Sequence, residues 1–391
     1  MMRAEKAPKK PFPQPVSSKA GVAAGLALLL VLVLGALLLH TPDAELTAAR
    51  KRMFVPARVS AVLSDEAQAD TWTEGLRIGA QVIEVELLGT EYKGTRLVTT
   101  NYLNAYANVD CRVGTRVIVR LDYDDAGQPY IVSVPNYDRG PILYGMLAAF
   151  ALLLILIGGK KGISALLGLV YTLAALWFLL IPLILRGVPS IPAAVAISAL
   201  TAAASLLMLT GFSRKTLCAG LGCVCGVTSA GLFAWVFSQI TPISGFNMAE
   251  AEDLVLRAYD APLQIRGLLI SGILIAALGA VMDVAMSISS ACWELTEVDP
   301  SISAGQLFRS GMNIGRDMVG TMTNTLILAI IGSGMTLIVY ICSLGLQPWQ
   351  LLSSPYLSLE AVSAIASSAG VMLAVPLTAA ICALAYGKKR T

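Results

Sequence analysis

Eight stretches of the chain are apolar almost without interruption: about 20–39, 141–158, 163–185, 190–211, 216–238, 267–292, 323–345 and 360–386. Each approaches the roughly 20 residues that a helix needs to cross the hydrocarbon core of a bilayer. Only Gly159, Lys160, Lys161 and Gly162 separate the second from the third, which predicts a helical hairpin. Between the first and second stretches the period changes from all-apolar to alternating. Val55–Leu63, Gln81–Leu88, Thr95–Thr100, Thr115–Asp122 and Pro129–Val134 alternate with strand periodicity. Val117, Val119, Leu121 and Tyr123 form an inward set, with Arg116, Ile118, Arg120 and Asp122 opposite. Asp124 to Gly127 has the composition of a hairpin turn. Short strands this close together predict a small OB-like barrel. The expected fold is therefore an α-helical polytopic membrane protein of about eight transmembrane helices carrying a small all-β domain.

Lysine and arginine placement orients the spans, because cytoplasmic loops are enriched in them. Arg3, Lys6, Lys9, Lys10 and Lys19 precede the first span, and Lys160 and Lys161 follow the second. Arg214 and Lys215 follow the fourth, and Lys388, Lys389 and Arg390 follow the eighth. With eight spans all four clusters fall on one side. The exceptions, Arg186 and Arg266, sit at span ends where a long side chain reaches the interface. Residues 1–19 and 387–391 then form basic cytoplasmic termini, 20–39 an anchor, 41–139 an extracytoplasmic β domain and 141–386 a seven-helix membrane domain. The anchor exceeds the roughly 7–15 residues of a signal-peptide core and lacks a small-x-small cleavage site. The expected location is the cell (inner or cytoplasmic) membrane, multi-pass, with both termini cytoplasmic.

Composition agrees: 56% of residues are apolar and 14% charged, against about a quarter charged in soluble domains. The formal net charge of +3 is scattered over segment ends, so no nucleic-acid footprint exists and no such partner is expected. Six of the seven cysteines fall in or beside apolar runs and read as small hydrophobes; Cys223 and Cys225 have the wrong spacing for a metal or redox pair. The lone histidine, His40, ends the first apolar run as an interfacial residue. Asp122, Asp124 and Asp125 lack the further ligands of a calcium loop. Glu250, Glu252, Asp253 and Asp260 make the second external loop acidic, as a solvated surface does. No metal, cofactor or catalytic residue is expected.

The chemistry lies in the sixth and seventh apolar stretches. Asp283, Ser287, Ser290 and Glu294 follow one another at intervals of four, three and four, so they share one side of a helix. Asn313, Asp317, Gly320 and Asn324 form a second stripe flanked by Arg316 and Thr321. A carboxylate inside a span costs between roughly 2.5 and more than 10 kcal/mol, so it normally faces protein or a wet cavity on an ion or substrate route. Arg316 is the obvious counter-charge for a cavity shared by Asp283 and Asp317. Two plainer readings compete: Arg316 and Asp317 as solvated residues at the membrane edge, and Asp283 as a buried structural ion pair. Thr296 to Asp299 has the composition of a cap for a short interfacial helix beginning at Pro300 and carrying Ile302, Leu307 and Phe308. Small residues recur in Gly222, Gly226 and Ala230, and in Ser363, Ser367, Gly370 and Ala374, and read first as helix packing. Ser367, Ser368 and Thr378 could alternatively line a path, and Pro376 would kink or interrupt the last helix.

Gly279-Ala-Val-Met-Asp283-Val-Ala-Met-Ser287-Ile, then Gly311-Met-Asn313-Ile-Gly315-Arg316-Asp317 and Gly320-Thr-Met-Thr-Asn324-Thr-Leu-Ile-Leu, resemble the signature of the YibE/F-like family. The resemblance spans about residues 50–386, with a mild departure at Cys292-Trp293. It implies a bacterial polytopic inner-membrane protein, found mainly in Gram-positive lineages and taken to be a transporter, without fixing a substrate. Three functions stay open. One is a secondary transporter of a small solute or ion, coupled to protons or Na⁺; no nucleotide-binding P-loop is present, and the absence of an internal repeat weighs against it. Another is an intramembrane aspartyl enzyme, for which the two aspartates are the sole warrant; the chain is expected not to be an enzyme. The last is a sensor or scaffold, with a homo-oligomer or protein partner engaged through residues 53–137.

Overall fold

The structure, a computed structural model, describes residues 18–39, 52–89, 92–123, 128–243, 246, 254 and 264–387. The basic residues before Ser18, His40, the Asp124–Gly127 turn, the acidic residues Glu250, Glu252, Asp253 and Asp260, and the basic tail lie outside them. Two compact units emerge, one of Met1–His40 with Gly158–Thr391, the other of Thr41–Ile157.

The β unit contains β1 (Arg52–Asp65), β2 (Gln68–Ala69), β3 (Arg77–Leu87), β4 (Arg96–Leu103), β5 (Arg116–Tyr123) and β6 (Pro129–Tyr137). The order is β2-β3-β1-β5-β6, with β4 also paired to β3, and every pairing is antiparallel. Two register shifts in β1, at Val59/Ala61 and Val62/Ser64, curl the sheet, and β4 packs against β6 without pairing to it. The result is a half-barrel. Strand alternation does the rest: Val55, Ala57, Ile83, Val85, Leu87, Val117, Val119 and Leu121 are all fully buried in one core. Each large apolar side chain so buried contributes about 1.5–3 kcal/mol. Of the inward set read from β5, Tyr123 alone stays half-buried.

Two amide side chains, Gln81 and Asn101, are buried with that core. Gln81 accepts from the Cys111 backbone N–H at 2.9 Å and donates to Asp65 at 3.0 Å, so both ends of its amide are used. Asn101 adds a bond to the Val109 carbonyl at 2.8 Å. Arg77 closes the network outside, bonded to Asp65, Asp110 and the Ala67 carbonyl. Burial, followed by the charge of Asp110, pushes the Cys111 thiol up to about 12, so it stays protonated.

The helical unit is built from α1 (Ser18–Leu39), the second half of α2 (Gly140–Ala175), a π-helical turn (Leu176–Leu180), α3 (Ile181–Leu185), α4 (Ser190–Thr210), α5 (Arg214–Ile240), α6 (Ile265–Val298), α7 (Ala304–Ser333), α8 (Met335–Ser343), α9 (Pro348–Leu352) and α10 (Pro355–Tyr386). Among the described residues, five helical stretches are long and apolar enough to cross a membrane: Gly140–Leu185, Ser190–Thr210, Arg214–Ile240, Ile265–Val298 and Pro355–Tyr386. The pair α7 and α8, bent by 59°, makes a sixth if counted as one span. Together they cover seven of the eight apolar stretches of the sequence, the second and third lying in one helical stretch, while over the first only Ala27–Leu39 counts as a shorter apolar helix. The expected four-residue linker is compressed to one residue, Gly159, the only non-helical residue in α2 at φ 54°; Lys160 and Lys161 are already helical. Residues without a glycine's freedom rarely adopt that φ.

The core is made of small side chains interlocking. A Cβ on Gly226 would lie 2.6 Å from Val281 and 2.8 Å from the Ala374 methyl, and one on Gly231 would lie 2.8 Å from Leu274. Gly370 faces Ala230, and Gly222 faces Thr378. The two small-residue stripes are therefore packing surfaces, where glycine lets backbones approach. Pro376 does not interrupt α10. At the periphery, Tyr171 donates to the Leu28 carbonyl at 3.2 Å and Arg186 to the Leu38 carbonyl at 3.1 Å, which ties α1 to the bundle.

Candidate functional site

α6 and α7 run antiparallel, joined by a short turn. Asp299 shapes that turn, accepting from the Ser301 N–H at 2.9 Å and its hydroxyl at 2.6 Å. Ser303 then caps α7, with Gln306 completing the reciprocal box at 3.3 and 3.2 Å. This corrects the expected short interfacial helix starting at Pro300. Thr296 to Asp299 end α6, and the Ser303–Gln306 pair sets the start of one continuous 30-residue helix. Leu307 is fully buried in the bundle, with Ile302 and Phe308 packed against its core.

Contacts fix the register of that helix. A Cβ on Gly311 would lie 3.1 Å from Cys292 Sγ and 3.0 Å from Ala379, and one on Gly315 would lie 3.1 Å from Ile288 and against Val375. Carried along straight helices, these pairings put Asp283 level with Gly320 and Asn324 level with Gly279. Depth follows from the ends. Trp293 meets Tyr386 edge-on at 5.3 Å, an aromatic pair suited to a membrane–water boundary. From Trp293 back to Arg266 is about 40 Å at the helical rise, close to a whole bilayer with its headgroups. The midpoint falls near Gly279 and Ala280, so Asp283 stands about 5 Å from it and Asn324 stands on it.

The nine candidate residues are distributed as follows. On α6, Asp283 and Glu294 are exposed while Ser287 and Ser290 are half-buried. On α7, Asn313, Arg316, Asp317, Thr321 and Asn324 are all exposed. Arg316 donates to Asn313 Oδ1 at 3.4 Å, and Thr321 to the Met318 carbonyl at 2.9 Å. Among the described residues no ion pair joins Arg316 to Asp283 or to Asp317. The two acidic stripes thus lie at neighbouring depths on adjacent helices, with Asp283, Glu294 and the five α7 residues exposed among the described residues.

Hydroxyls behind these helices carry a second signal. Many span-borne Ser and Thr residues close onto a carbonyl one turn back, as Ser271 does to Gly267 at 2.8 Å and Ser363 to Leu359 at 2.9 Å. Ser368, Thr378 and Thr323 have buried hydroxyl oxygens with no hydrogen-bond partner. Ser367 reaches the Ile273 carbonyl at 3.5 Å. Of these, Thr323 stands within about one helical turn of Asp283 along the bundle, whereas Ser368, next to the Ser367 that reaches Ile273, stands about two turns away. Sequence alone could flag these residues as polar, but not that their usual bonds are unmade. Cys218, Cys292 and Cys382 also meet, where α5, α6 and α10 come together. No group of three or more His, Cys, Asp or Glu among the described residues is placed to hold a metal ion.

A family model described as YibE/F-like protein matches residues 146–388. That match covers the helical region, including both polar stripes, and leaves out the β strands that the sequence resemblance had included. No curated protein and no solved structure matches the chain.

Proposed function

The chain belongs to the YibE/F-like family, and from that membership we propose that it is a secondary transporter for a small solute or ion, coupled to protons or Na⁺. The supporting observation is Asp283, a carboxylate about 5 Å from mid-membrane, level with Gly320 and within about one helical turn of the unpartnered Thr323 hydroxyl. A carboxylate at that depth can take and release a proton or hold a cation, and neighbouring Ser, Thr and Asn oxygens can complete the coordination. Arg316 and Asp317, nearer the aromatic boundary, would form the mouth of the path. We read the chain as non-enzymatic, in the cytoplasmic membrane, with eight crossings, cytoplasmic termini and the β unit outside. On that reading the Trp293–Tyr386 end is cytoplasmic, and the acidic stripes lie in the inner half of the bilayer.

A second reading, a sensor or scaffold whose β unit docks a partner, draws support from two loops. Trp72 is 93% exposed and Tyr106 is fully exposed, on loops tied together by Asn108 through its bonds with the Arg77 backbone. The experiment that separates the two is ion flux. With full-length protein in sealed vesicles, proton movement read by an internal pH dye and uptake of radioactive Na⁺ should both be measured. Asp283→Asn should abolish flux of the coupling ion while leaving expression and thermal stability intact. Unchanged flux in that variant would remove Asp283 from the coupling role, and no flux of either ion in the parent would favour the scaffold.

A further inference from the structure

The uncovered face of α7 does not suit lipid. As far as Asn324 it presents Asn313, Arg316, Asp317, Gly320, Thr321 and Asn324, and beyond that Leu328 and Ile331. Asn324 stands at the bilayer midpoint, and the groups below it run down to the aromatic boundary. Hydrocarbon cannot satisfy an amide, an aspartate and a guanidinium, so protein or water must cover them. The adjoining helix is built for close approach. α6 leaves Gly272, Ala276, Gly279 and Asp283 exposed at intervals of four, three and four, and a Cβ at Gly272, Gly279 or Gly320 would meet nothing within 4 Å. At Gly226 and Gly315, by contrast, a neighbouring helix fills the space. Gly272 and Gly279 share the exposed face with Asp283, level with the equally open Gly320, and no described residue fills the space beside any of the three.

We propose that a second copy of this chain packs against the α6–α7 face about a two-fold axis along the membrane normal, closing the polar groove into a path that neither copy forms alone. Such an axis keeps every residue at its own depth. Asn324 then meets Asn324, and a carboxamide is donor and acceptor at once, so the pair satisfies itself. Arg316 meets the partner's Asp317, only about 1.5 Å away in depth. Within one helix these adjacent residues point in different directions and cannot pair. Leu328 and Ile331 of each copy seal the outer half against their counterparts. A different subunit would need a matching pattern of charge and amide; a second copy supplies it by symmetry. The role of the closed groove as a path rests on the transport reading; the pairing of copies does not.

The test uses full-length protein in native membranes with the exposed Cys342 replaced by serine. After oxidation, Asn324→Cys should run at twice the chain mass, whereas Leu232→Cys, on the exposed side of α5, should remain monomeric. A monomer from Asn324→Cys, or an adduct of any other mass, overturns the proposal. Charge exchange is the independent check. Arg316→Asp and Asp317→Arg should each weaken self-association in detergent by about tenfold or more, and the double exchange should restore it. Failure of the double variant to restore a dimer that both single variants lose also overturns it. Flux separates the two ideas. A dimer whose flux ignores Asp283→Asn keeps the pairing and loses transport, whereas Asp283-dependent flux from a monomer keeps transport and loses the pairing.

Discussion

Gln81 shows how much one side chain can organise. It is 1% exposed, yet its amide bonds Asp65, Asp110 and the backbone of Cys111, so three separate segments are held at one point. Asp65 registers the arrangement electrostatically. The Gln81 amide, and after it Arg77, holds its carboxyl below the ordinary value near 3.8. A folded-state pKa below the unfolded one means that the unfolded chain binds the proton more readily. The resulting stabilisation is present above about pH 4 and is lost as pH falls through the folded value. Amide exchange in β1 and β3 of the whole protein should therefore accelerate below pH 4. Asp65→Asn should remove much of that acid dependence while weakening the strands at neutral pH. An unaltered acid profile in the variant would show that Asp65 is not the group responsible.

Helix contacts turn on which glycines are filled. Gly315 lies against Val375 with Ile288 close behind, so Gly315→Val has no room and should cost about 1–3 kcal/mol through overpacking, read as a lowered thermal midpoint. Gly305, exposed in the first turn of α7 with nothing within 4 Å, should accept alanine within about 0.5 kcal/mol. Much of this level was legible beforehand. Alternation located β1, β3, β4, β5 and β6, and apolar length located the spans, because period and length are local properties of a segment. The two-residue β2 has no period to read. The start of α7 was misplaced because Asp299 and Ser303 both suit a cap, and Gln306, three residues after Ser303, decides between them. The polar stripe on α6 was visible as a stripe. Which side the other helices would take was not, because that depends on contacts far apart in sequence, such as Gly315 with Val375. Hence Asp283 and Arg316, expected in one cavity, stand uncovered instead.

The fold as a whole leaves one decision to Gly159. The stretch Gly140–Leu185 is 46 residues, about 69 Å at the helical rise and more than twice the hydrocarbon thickness of about 30 Å. Crossing once, it would leave half its apolar length outside the bilayer core; crossing twice, it would place Gly159 and the exposed Lys160 and Lys161 at a membrane surface. The count decides every later segment, because one crossing more or fewer between Gly140 and Ser190 inverts α4, α5, α6, α7 and α10 together. Two crossings put Lys160, Lys161, Arg214 and Lys215 on one side, as the bias of basic residues toward the cytoplasm favours. One crossing separates Arg214 and Lys215 from the N-terminal basic cluster. An impermeant maleimide should therefore label Tyr106→Cys in intact cells. Lys161→Cys and Arg214→Cys should label only after the membrane is opened. Labelling of Arg214→Cys from outside would establish a single crossing and put the acidic face of α7 in the outer half of the bilayer. A coupling carboxylate would then lie nearer the external medium than the cytoplasm.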